Sequence, residues 1–406
     1  MKWEKVTLKE VTEYITDGDH QPAPKSANGV LFIKIKDIVN NQISFLNALF
    51  VPQEYYDKLP FNRKAKQGDV LYTVVGSYGI PVLVSTSELF CFERNIALLH
   101  PNDSIDSRFL YYSMKNPLFF EQANAIANGS AQKLIPLSKL ASMELLLPDI
   151  ETQRRIASIL SAYDDLIENN QKQIKLLEEA AQRLYKEWFV DLRFPGWETA
   201  EIVDGVPVGW KVIPLSELFS YVRGKSYKSD ELSETEGTLM ANLKNIRAFG
   251  GYNRNAEKRF VGKYKPEQTL SAGDVIMGVT DMTQERRLVG NVALVPAMGE
   301  NMTFSMDLIK LIPHDVTRNY LYSLFLYGGL SKKISPLANG VNVLHLKPES
   351  MMSIETCIPN SNLILLYDRA FEPIRLKIDR LQEKINRSIE ARDRLLPKLM
   401  SGELEV

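Results

Sequence analysis

The spacing of hydrophobic positions changes character along the chain. Residues 1–147 contain short apolar runs such as "VLFIKI" and "DVLYTVV", which Gly, Pro, Asn and Asp interrupt. Such runs between turn-forming residues predict short strands, and "SRFLYYSMKN" predicts a helix among them. This mixture predicts a compact α+β domain over residues 1–150, and we expect a second such domain over residues 210–362.

Two other segments, 151–189 and 363–406, have helical periodicity instead. In both, apolar residues recur at two positions of a heptad, which predicts long helices with an apolar seam. Pro373 predicts a break or kink near the start of the second helix. The predicted seam residues are Ile156, Leu160, Tyr163, Ile167, Asn170, Ile174, Leu177 and Leu184 in the first segment, and Ile374, Ile378, Leu381, Ile385 and Leu395 in the second.

Helices of this length reach beyond a small domain. At 1.5 Å per residue, each would extend roughly 50–60 Å. Because a long helix is not stable alone with its apolar seam in water, we expect the two helices to pack against each other. Asn170 lies in the first seam, where one Asn can fix the register, whereas Ser388 and Arg392 weaken the second seam. The alternative is that each apolar stripe packs only on its own domain.

The chain consists of two copies of one plan. The opening "WEKVTLKEV" corresponds to "WKVIPLSEL" at Trp210, and "GDVLYTVVGSYG" corresponds to "GDVIMGVTDMTQ" at Gly273. The tripeptide Ala-Asn-Gly that ends at Gly129 returns at Gly340, 211 residues later. A repeat of this length indicates a duplicated domain and not a solenoid. Residues 190–209, with Pro, Gly and acidic residues, are typical of a connector.

Composition narrows the class of protein. A chain of 406 residues, 45% hydrophobic and 24% charged, predicts a soluble protein of several domains. The opening residues lack the apolar region of a signal peptide, and no apolar run has the length of a membrane span, so we expect a cytoplasmic protein. Cys91 and Cys357 lie far apart, which argues against a disulfide framework or a Cys-rich zinc site.

The sequence contains no recognisable catalytic motif. It has no P-loop and no G-x-G-x-x-G, and its four histidines are scattered. "NPLF" at Asn116 lacks the second proline of an adenine methyltransferase tetrapeptide, and "PDIETQ" at Pro148 lacks the Lys of a nuclease carboxylate cluster. We therefore expect no catalytic residue, metal ion or cofactor on this chain.

One basic, aromatic stretch departs from the net charge of −1. Residues 242–265 hold seven Lys and Arg against Glu257, with Phe249, Tyr252, Phe260 and Tyr264 between them. Cations can bind phosphates, and Asn, Gln and Arg can read base edges, so the stretch favours a nucleic-acid interface over a solvated basic surface. The candidates in the second copy are Lys225, Tyr227, Lys228, Asn242, Lys244, Asn245, Arg254, Lys258, Arg259, Lys263, Gln284, Arg286 and Arg287.

The first copy is less basic, and its candidates lie on separate loops. Different loops on one scaffold would suit two different targets. The candidate residues are His20, Ser77, Tyr78, Arg94, Gln132 and Lys133.

Several blocks together resemble the specificity subunits of type I restriction–modification systems. They are the openings "WEKVTL" and "WKVIPL", then "GSAQKLIPLSKLASMELLLPDIETQRRIASIL", "YKEWFVDLRFPG", "VPVGW" and the terminal "RDRLLPKLMSGELEV". The blocks "RGKSYKSDEL", "NLKNI" and "VTDMTQERRLVG" resemble a recurring second target-recognition domain of that family. The order of these blocks extends the resemblance over essentially the whole chain.

The resemblance implies a division of labour. The two domains would be target-recognition domains that each read one half of a bipartite, asymmetric DNA site, and the helices would pair as an antiparallel coiled coil that sets the gap. The chain itself would be non-catalytic. It would dock two modification subunits, which methylate adenine at N6 with S-adenosylmethionine, and the assembly would recruit restriction subunits, with ATP and Mg bound by these partners.

Other functions stay open at this point. An orphan or regulatory specificity subunit would have the same sequence features. A duplicated-domain enzyme with unrecognised motifs would bind a small ligand and show turnover alone, and a pure coiled-coil scaffold would bind DNA without sequence preference.

Overall fold

The structure, a computed structural model, describes residues 3–129 and 133–406. The chain divides into two compact units. Unit 1 comprises residues 1–169 and 384–406, and unit 2 comprises residues 170–383. Both units combine strands with helices, which confirms the predicted α+β class.

Unit 1 combines a main four-stranded sheet and three smaller sheets with helices that pack on them, among the described residues. Its strands are β1 (Glu4–Thr7), β2 (Thr12–Asp17), β3 (Val30–Ile33), β4 (Ile38–Val39), β5 (Gln42–Ile43), β6 (Leu49–Val51), β7 (Val70–Thr73), β8 (Pro81–Leu83), β9 (Phe90–Phe92), β10 (Ile96–Pro101) and β11 (Glu144–Leu147). Its helices are α1 (Gln53–Lys58), α2 (Ser107–Lys115), α3 (Pro117–Ile126), α4 (Leu137–Ala141) and the first half of α5 (Ile150–Phe189), with 3-10 turns at Ile35–Asp37 and Phe61–Arg63.

The main sheet of unit 1 has the antiparallel order β2–β10–β7–β8, and a mixed sheet has the order β6–β3–β9. The main sheet is covered on both faces. Along β7, Val70 and Tyr72 point into the core that contains α2, whereas Leu71 points into a second core shared with β9. A strand buried on both faces reads as a continuous apolar run, which is why "DVLYTVV" shows no polar alternation.

Unit 2 repeats this arrangement. Its strands are β12 (Ile202–Val203), β13 (Val206–Pro207), β14 (Lys211–Pro214), β15 (Phe219–Arg223), β16 (Leu232–Ser233), β17 (Thr238–Ala241), β18 (Lys258–Phe260), β19 (Thr269–Leu270), β20 (Val275–Gly278), β21 (Thr280–Asp281), β22 (Val292–Leu294), β23 (Met302–Phe304), β24 (Leu308–Pro313), β25 (Leu344–His345) and β26 (Glu355–Ile358). Its helices are α6 (Leu215–Leu218), α7 (Arg318–Leu326), α8 (Leu330–Ile334) and the first half of α9 (Ser361–Ser401), with 3-10 turns at Trp197–Thr199, Ser229–Glu231, Leu243–Asn245, Pro266–Gln268, Ser335–Leu337 and Pro348–Met351.

The two units share their strand connections. The order β15–β24–β20–β22 in unit 2 matches β2–β10–β7–β8 in unit 1, and β14–β26 matches β1–β11. Each unit also has a parallel pair, β3 with β9 and β17 with β23. The internal repeat in the sequence is therefore also a repeat of the fold.

The two long helices pair antiparallel within each unit. In unit 1, Ile156 and Leu160 of α5 share a core with Leu399 of α9, and Asp164 pairs with Arg392 further along. Residue numbers thus rise along one helix and fall along the other.

In unit 2, the ring of Tyr185 on α5 lies 6.0 Å from that of Tyr367 on α9, edge to face. Glu178 of α5 and Ile378 of α9 line one pocket, so the direction is again antiparallel. The C-terminal half of α5 packs in the core of unit 2, and the C-terminal half of α9 packs in the core of unit 1. Each helix therefore packs on both domains, which excludes the alternative that each apolar stripe packs only on its own domain.

The predicted seam residues are all buried or half-buried. Asn170 is buried, and its amide nitrogen has no hydrogen-bond partner among the described residues. Ser388 is also buried, and Arg392 is accommodated because Asp164 neutralises it. The predicted break at Pro373 is wrong, because α9 continues through this residue. Phe371 is buried beside Pro373, so tertiary packing offsets the lost backbone hydrogen bond.

None of the helices in residues 3–129 and 133–406 combines the length and the apolar character needed to span a bilayer.

Candidate nucleic-acid interface

The repeated Ala-Asn-Gly sequence begins a segment whose two ends are hydrogen-bonded to each other in both units. We call it the Asn–Gly loop (residues 128–134, of which 130–132 lie outside the described residues, and residues 339–345). In unit 1, Asn128 and Leu134 exchange backbone hydrogen bonds of 3.0 and 2.8 Å. In unit 2, Asn339 and His345, each 211 positions later, exchange bonds of 3.0 and 2.9 Å. Gly340 has φ 153°, and a Cβ there would lie 1.9 Å from the Val343 carbonyl oxygen, so this position requires glycine.

In each unit the Asn–Gly loop contacts the segment that follows a central strand of the main sheet. In unit 1, the Gly76 amide donates to the Lys133 carbonyl at 3.0 Å. In unit 2, β21 pairs with β25, and the Gln284 side-chain amide donates to the Val341 carbonyl at 3.0 Å. Lys133 in unit 1 and Gln284 in unit 2 therefore both lie where the Asn–Gly loop meets the segment after a central strand, Lys133 on the loop and Gln284 on the segment.

The unit 1 cluster is built around Tyr78. Its hydroxyl donates to the Asn124 side-chain oxygen at 2.6 Å, and the Lys133 ammonium donates to the same oxygen at 3.1 Å. The Tyr78 ring stacks on Phe120, with 6.0 Å between centroids, and Ser77 beside it is exposed. The cluster thus presents a cation and two aromatic rings. Gln132 lies outside the described residues.

The other two candidates of unit 1 lie elsewhere in that unit. His20 and Arg94 line a pocket of about 520 Å³, together with Lys25 and Lys34. The His20 imidazole is 2.8 Å from a carboxylate oxygen of Asp17. Asp19 and Glu93 line the same pocket, so it combines cations with carboxylates and could receive a polar base edge.

In unit 2, residues 281–289 form a loop, here called the tip loop, that wraps around the buried carboxylate of Asp281. This carboxylate accepts hydrogen bonds from the Thr283 amide at 2.8 Å and from the Leu288 amide at 2.6 Å, with further bonds from the Thr283 hydroxyl and the Val289 amide. Burial raises the pKa of Asp281, but these hydrogen bonds outweigh burial and the net pKa is lowered. The loop is therefore held in shape by an ionised group.

The tip loop directs several side chains into solvent. Gln284 and Arg287 are exposed, and Arg287 pairs with the nearby Glu285 on the surface. A surface pair of this kind contributes little to stability, so the guanidinium can exchange partners. Arg286 differs, because it is half-buried with φ 53° and its Nε has no hydrogen-bond partner in the part of the chain that the structure describes.

The remaining basic candidates of unit 2 are divided between paired and exposed side chains. The Lys258 ammonium donates to the Tyr227 hydroxyl at 2.7 Å, and Arg259 pairs with Glu300 at 3.1 Å. Lys225 is half-buried. The exposed cations are Lys228, Lys244 and Lys263.

Three candidates lie where a base contact is not available in this conformation. Asn242 and Asn245 are buried, and the Asn245 side chain accepts from the Asn242 amide at 2.8 Å and donates to the Asn253 carbonyl at 2.9 Å. These amides shape a turn and do not face solvent. Arg254 is half-buried and lines a pocket with Asp379 on α9. Sequence reasoning cannot separate capping amides from base-reading ones, because both occur in polar loops.

Among the described residues, no group of three or more His, Cys, Asp or Glu side chains could hold a metal ion.

Comparison with known proteins agrees with this architecture. Residues 1–179 match the family described as "Type I restriction modification DNA specificity domain". The type I restriction enzyme MjaIX specificity subunit of Methanocaldococcus jannaschii is 28% identical over 326 residues, which cover 77% of this chain and 72% of that protein. The HindI specificity subunit of Haemophilus influenzae is 23% identical, over 92% of this chain and 94% of its own length.

A solved structure, the S subunit of a type I restriction–modification system from M. genitalium, matches 98% of this chain and 96% of its own chain. Its TM-score is 0.64 at 17% identity, which establishes the likeness of the fold. The fold is thus that of a two-domain specificity subunit. Residues 1–179 match the family model, and the whole chain is similar to type I specificity subunits, in agreement with the resemblance found in the sequence.

Proposed function

We propose that this chain is the DNA-specificity subunit of a type I restriction–modification complex, and that each unit reads one half of a bipartite DNA site. The observation that carries the proposal is the Asn–Gly loop, which closes with the same hydrogen bonds in both units but adjoins different side chains. Tyr78 and Lys133 accompany it in unit 1, and Gln284 and Arg287 in unit 2. One scaffold with two sets of side chains suits an asymmetric site.

The two kinds of side chain would have different roles. Gln and Arg form paired hydrogen bonds with adenine and guanine in the major groove, so Gln284 and Arg287 are the candidates for base reading in unit 2. Exposed cations such as Lys228 and Lys263 would bind phosphates, which position the protein without reading sequence. In unit 1, Arg94 would read a base edge and Lys133 would bind a phosphate, at separate places in the unit.

The partner subunits would supply the chemistry. Exposed leucines on the long helices, Leu166 and Leu176 on α5 and Leu365 and Leu366 on α9, offer apolar area on which modification subunits could dock. These subunits would methylate adenine at N6 with S-adenosylmethionine, and restriction subunits would use ATP and Mg. The chain itself would be non-catalytic and would act in the cytoplasm, with two modification subunits bound.

Methylome sequencing of a host that carries the full complex tests this function. We expect methylated adenines in a motif with two short, defined parts separated by a gap of fixed length. Two readers on a rigid spacer would contact DNA about one helical turn apart, near 34 Å, which leaves undefined bases between them. Deleting the gene for this chain should abolish the motif. A continuous palindromic motif, or methylation that persists after the deletion, would refute the proposal.

A further inference from the structure

An exposed aromatic residue in unit 2 has an unfavourable backbone conformation. Phe249 is 64% exposed and has φ 64°, in the left-handed region. Bulky residues rarely adopt this region, because Cβ crowds the backbone, and such outliers concentrate at functional sites. Because the ring is exposed, burial in the core does not explain the strained backbone conformation. The conformational preference of phenylalanine does not explain it either.

The surrounding structure enforces the turn that carries Phe249. The Phe249 amide donates to the Arg287 carbonyl at 2.8 Å, and the next two amides, of Gly250 and Gly251, donate to the carbonyls of Arg247 and Val292. Arg247, at the start of the turn, pairs with Glu178 of α5 at 2.6 Å. The ring therefore projects from a fixed base, so that no loop has to be ordered when it meets a ligand.

The first copy has a comparable turn without an aromatic ring. Between β4 and β5, Asn40 and Asn41 have φ 53° and φ 60°. Asn tolerates the left-handed region, and the Asn41 side chain donates to the Pro81 carbonyl at 3.0 Å. An amino acid suited to this conformation is therefore used in unit 1, whereas unit 2 has phenylalanine at a strained position.

The neighbours of Phe249 are suited to DNA. Its amide is bonded to Arg287 of the tip loop, and Gln284 of the same loop is bonded to Val341 of the Asn–Gly loop. Met282 and Val341 on these two loops are 78% and 90% exposed. Linked loops thus carry three exposed apolar side chains beside base-reading Gln and Arg.

We propose that Phe249 is a wedge that inserts at a base step of the duplex beside the second half-site and partly unstacks it. Proteins that bind the minor groove insert apolar side chains, phenylalanine among them, between base steps in this way and kink DNA. The proposal rests on the proposed function, and it adds that the second half-site is read partly through how easily one step is deformed. Insertion would bury the ring that is exposed in the free protein.

The test uses the assembled complex with its modification subunits and duplexes that carry the methylated motif. 2-Aminopurine is placed at one position at a time within and beside the second half-site, and its fluorescence is measured with and without protein. We expect a rise at one step, in addition to the rise at the target adenine, which methyltransferases extrude. In Phe249→Ala the fluorescence rise outside the target adenine should disappear. Specific binding should weaken roughly 5- to 150-fold, as loss of a base–aromatic contact does.

Two further variants separate the ring from the turn. Phe249→Asn keeps a residue that tolerates the left-handed region and should fold normally, yet it should lose the rise as the Ala variant does. Phe249→Trp should retain it. Phe61→Ala removes an exposed ring from unit 1 and should leave the second half-site unchanged.

The outcomes distinguish this proposal from the one it rests on. If the complex neither binds nor methylates a defined motif, the proposed function fails and the wedge fails with it. If the motif is methylated but no step outside the target brightens, or the rise survives in Phe249→Ala, only the wedge is overturned. Loss of modification-subunit binding in Phe249→Ala with the rise intact would make the ring a protein contact and would also overturn the wedge.

Discussion

At the scale of single residues, polar side chains in unit 2 divide into those that build loops and those that the loops display. Asn245 and Asp281 are buried, and their side chains are occupied by backbone groups. Gln284 and Arg287 are exposed on the loop that Asp281 organises. Since buried polar groups must be hydrogen-bonded, the first set fixes the loop and the second set can meet a ligand.

This division predicts different effects for Arg287 and Lys263. If Arg287 reads a base, Arg287→Ala should cost about 1–3 kcal/mol of binding and relax one position of the second half-site only. Lys263→Ala should weaken binding to all sequences alike and reduce the salt dependence by about one ion. Binding is measured across a panel of base substitutions at two salt concentrations.

The half-buried Arg286 is tested in the same way. The first half-site provides the control for both arginines, because neither variant should alter it. If Arg286→Ala and Arg287→Ala both leave affinity and site preference unchanged, the tip loop is not part of the DNA interface.

At the scale of elements, helices α2, α5 and α9 meet at Asp164 in unit 1. This carboxylate accepts from the Tyr112 hydroxyl at 2.6 Å, pairs with Arg392 and lies 3.9 Å from the Lys115 ammonium. Burial lowers the pKa of Lys115, against the attraction of Asp164. Asp164 thus contacts two cations that are mostly shielded from solvent, and Arg392 also pairs with the more exposed Asp393 at 2.7 Å.

Removing this carboxylate should destabilise unit 1. Asp164→Ala leaves Arg392 and Lys115 without their shared partner, although Arg392 keeps its pair with Asp393. Breaking a buried ion pair from one side costs up to about 3–5 kcal/mol, and we expect about 2–3 kcal/mol here because one partner remains. Asp191→Ala, which breaks the exposed pair with Lys186, should cost at most about 1 kcal/mol. Denaturant unfolding followed by circular dichroism measures both. Equal effects of the two substitutions would mean that the Asp164 cluster is solvated and contributes no more than a surface pair.

The helices and domains also show which parts of the fold could be predicted from the sequence. The long helices and the α+β domains follow from hydrophobic period, because burial imposes that period directly. The helix break predicted at Pro373 does not occur, because packing along a helix of 41 residues overrides the local rule about proline. The capping roles of Asn242 and Asn245 and the strained turn at Phe249 depend on backbone angles and distant partners, for which the sequence pattern has no signal.

At the scale of the whole molecule, each long helix contributes to both units. Residues 150–169 of α5 belong to unit 1 and residues 170–189 to unit 2, and α9 is divided in the opposite order. Under the proposed function, two antiparallel helices that are each continuous across the division would set the spacing between the two half-sites. This continuity is the physical basis for expecting a gap of defined length in the DNA site.

Lengthening both helices should therefore lengthen the gap. Insertion of seven residues after Asn170 and seven after Leu381 preserves the heptad phase of both seams. At 1.5 Å per residue the spacer grows by about 10 Å, which is roughly three base pairs at 3.4 Å each. Methylome sequencing should show the same two defined parts with a gap about three base pairs longer. A seven-residue insertion in α5 alone leaves its added turns without a partner and should abolish assembly. Defined bases that change while the gap stays constant would show that the helices do not set the spacing.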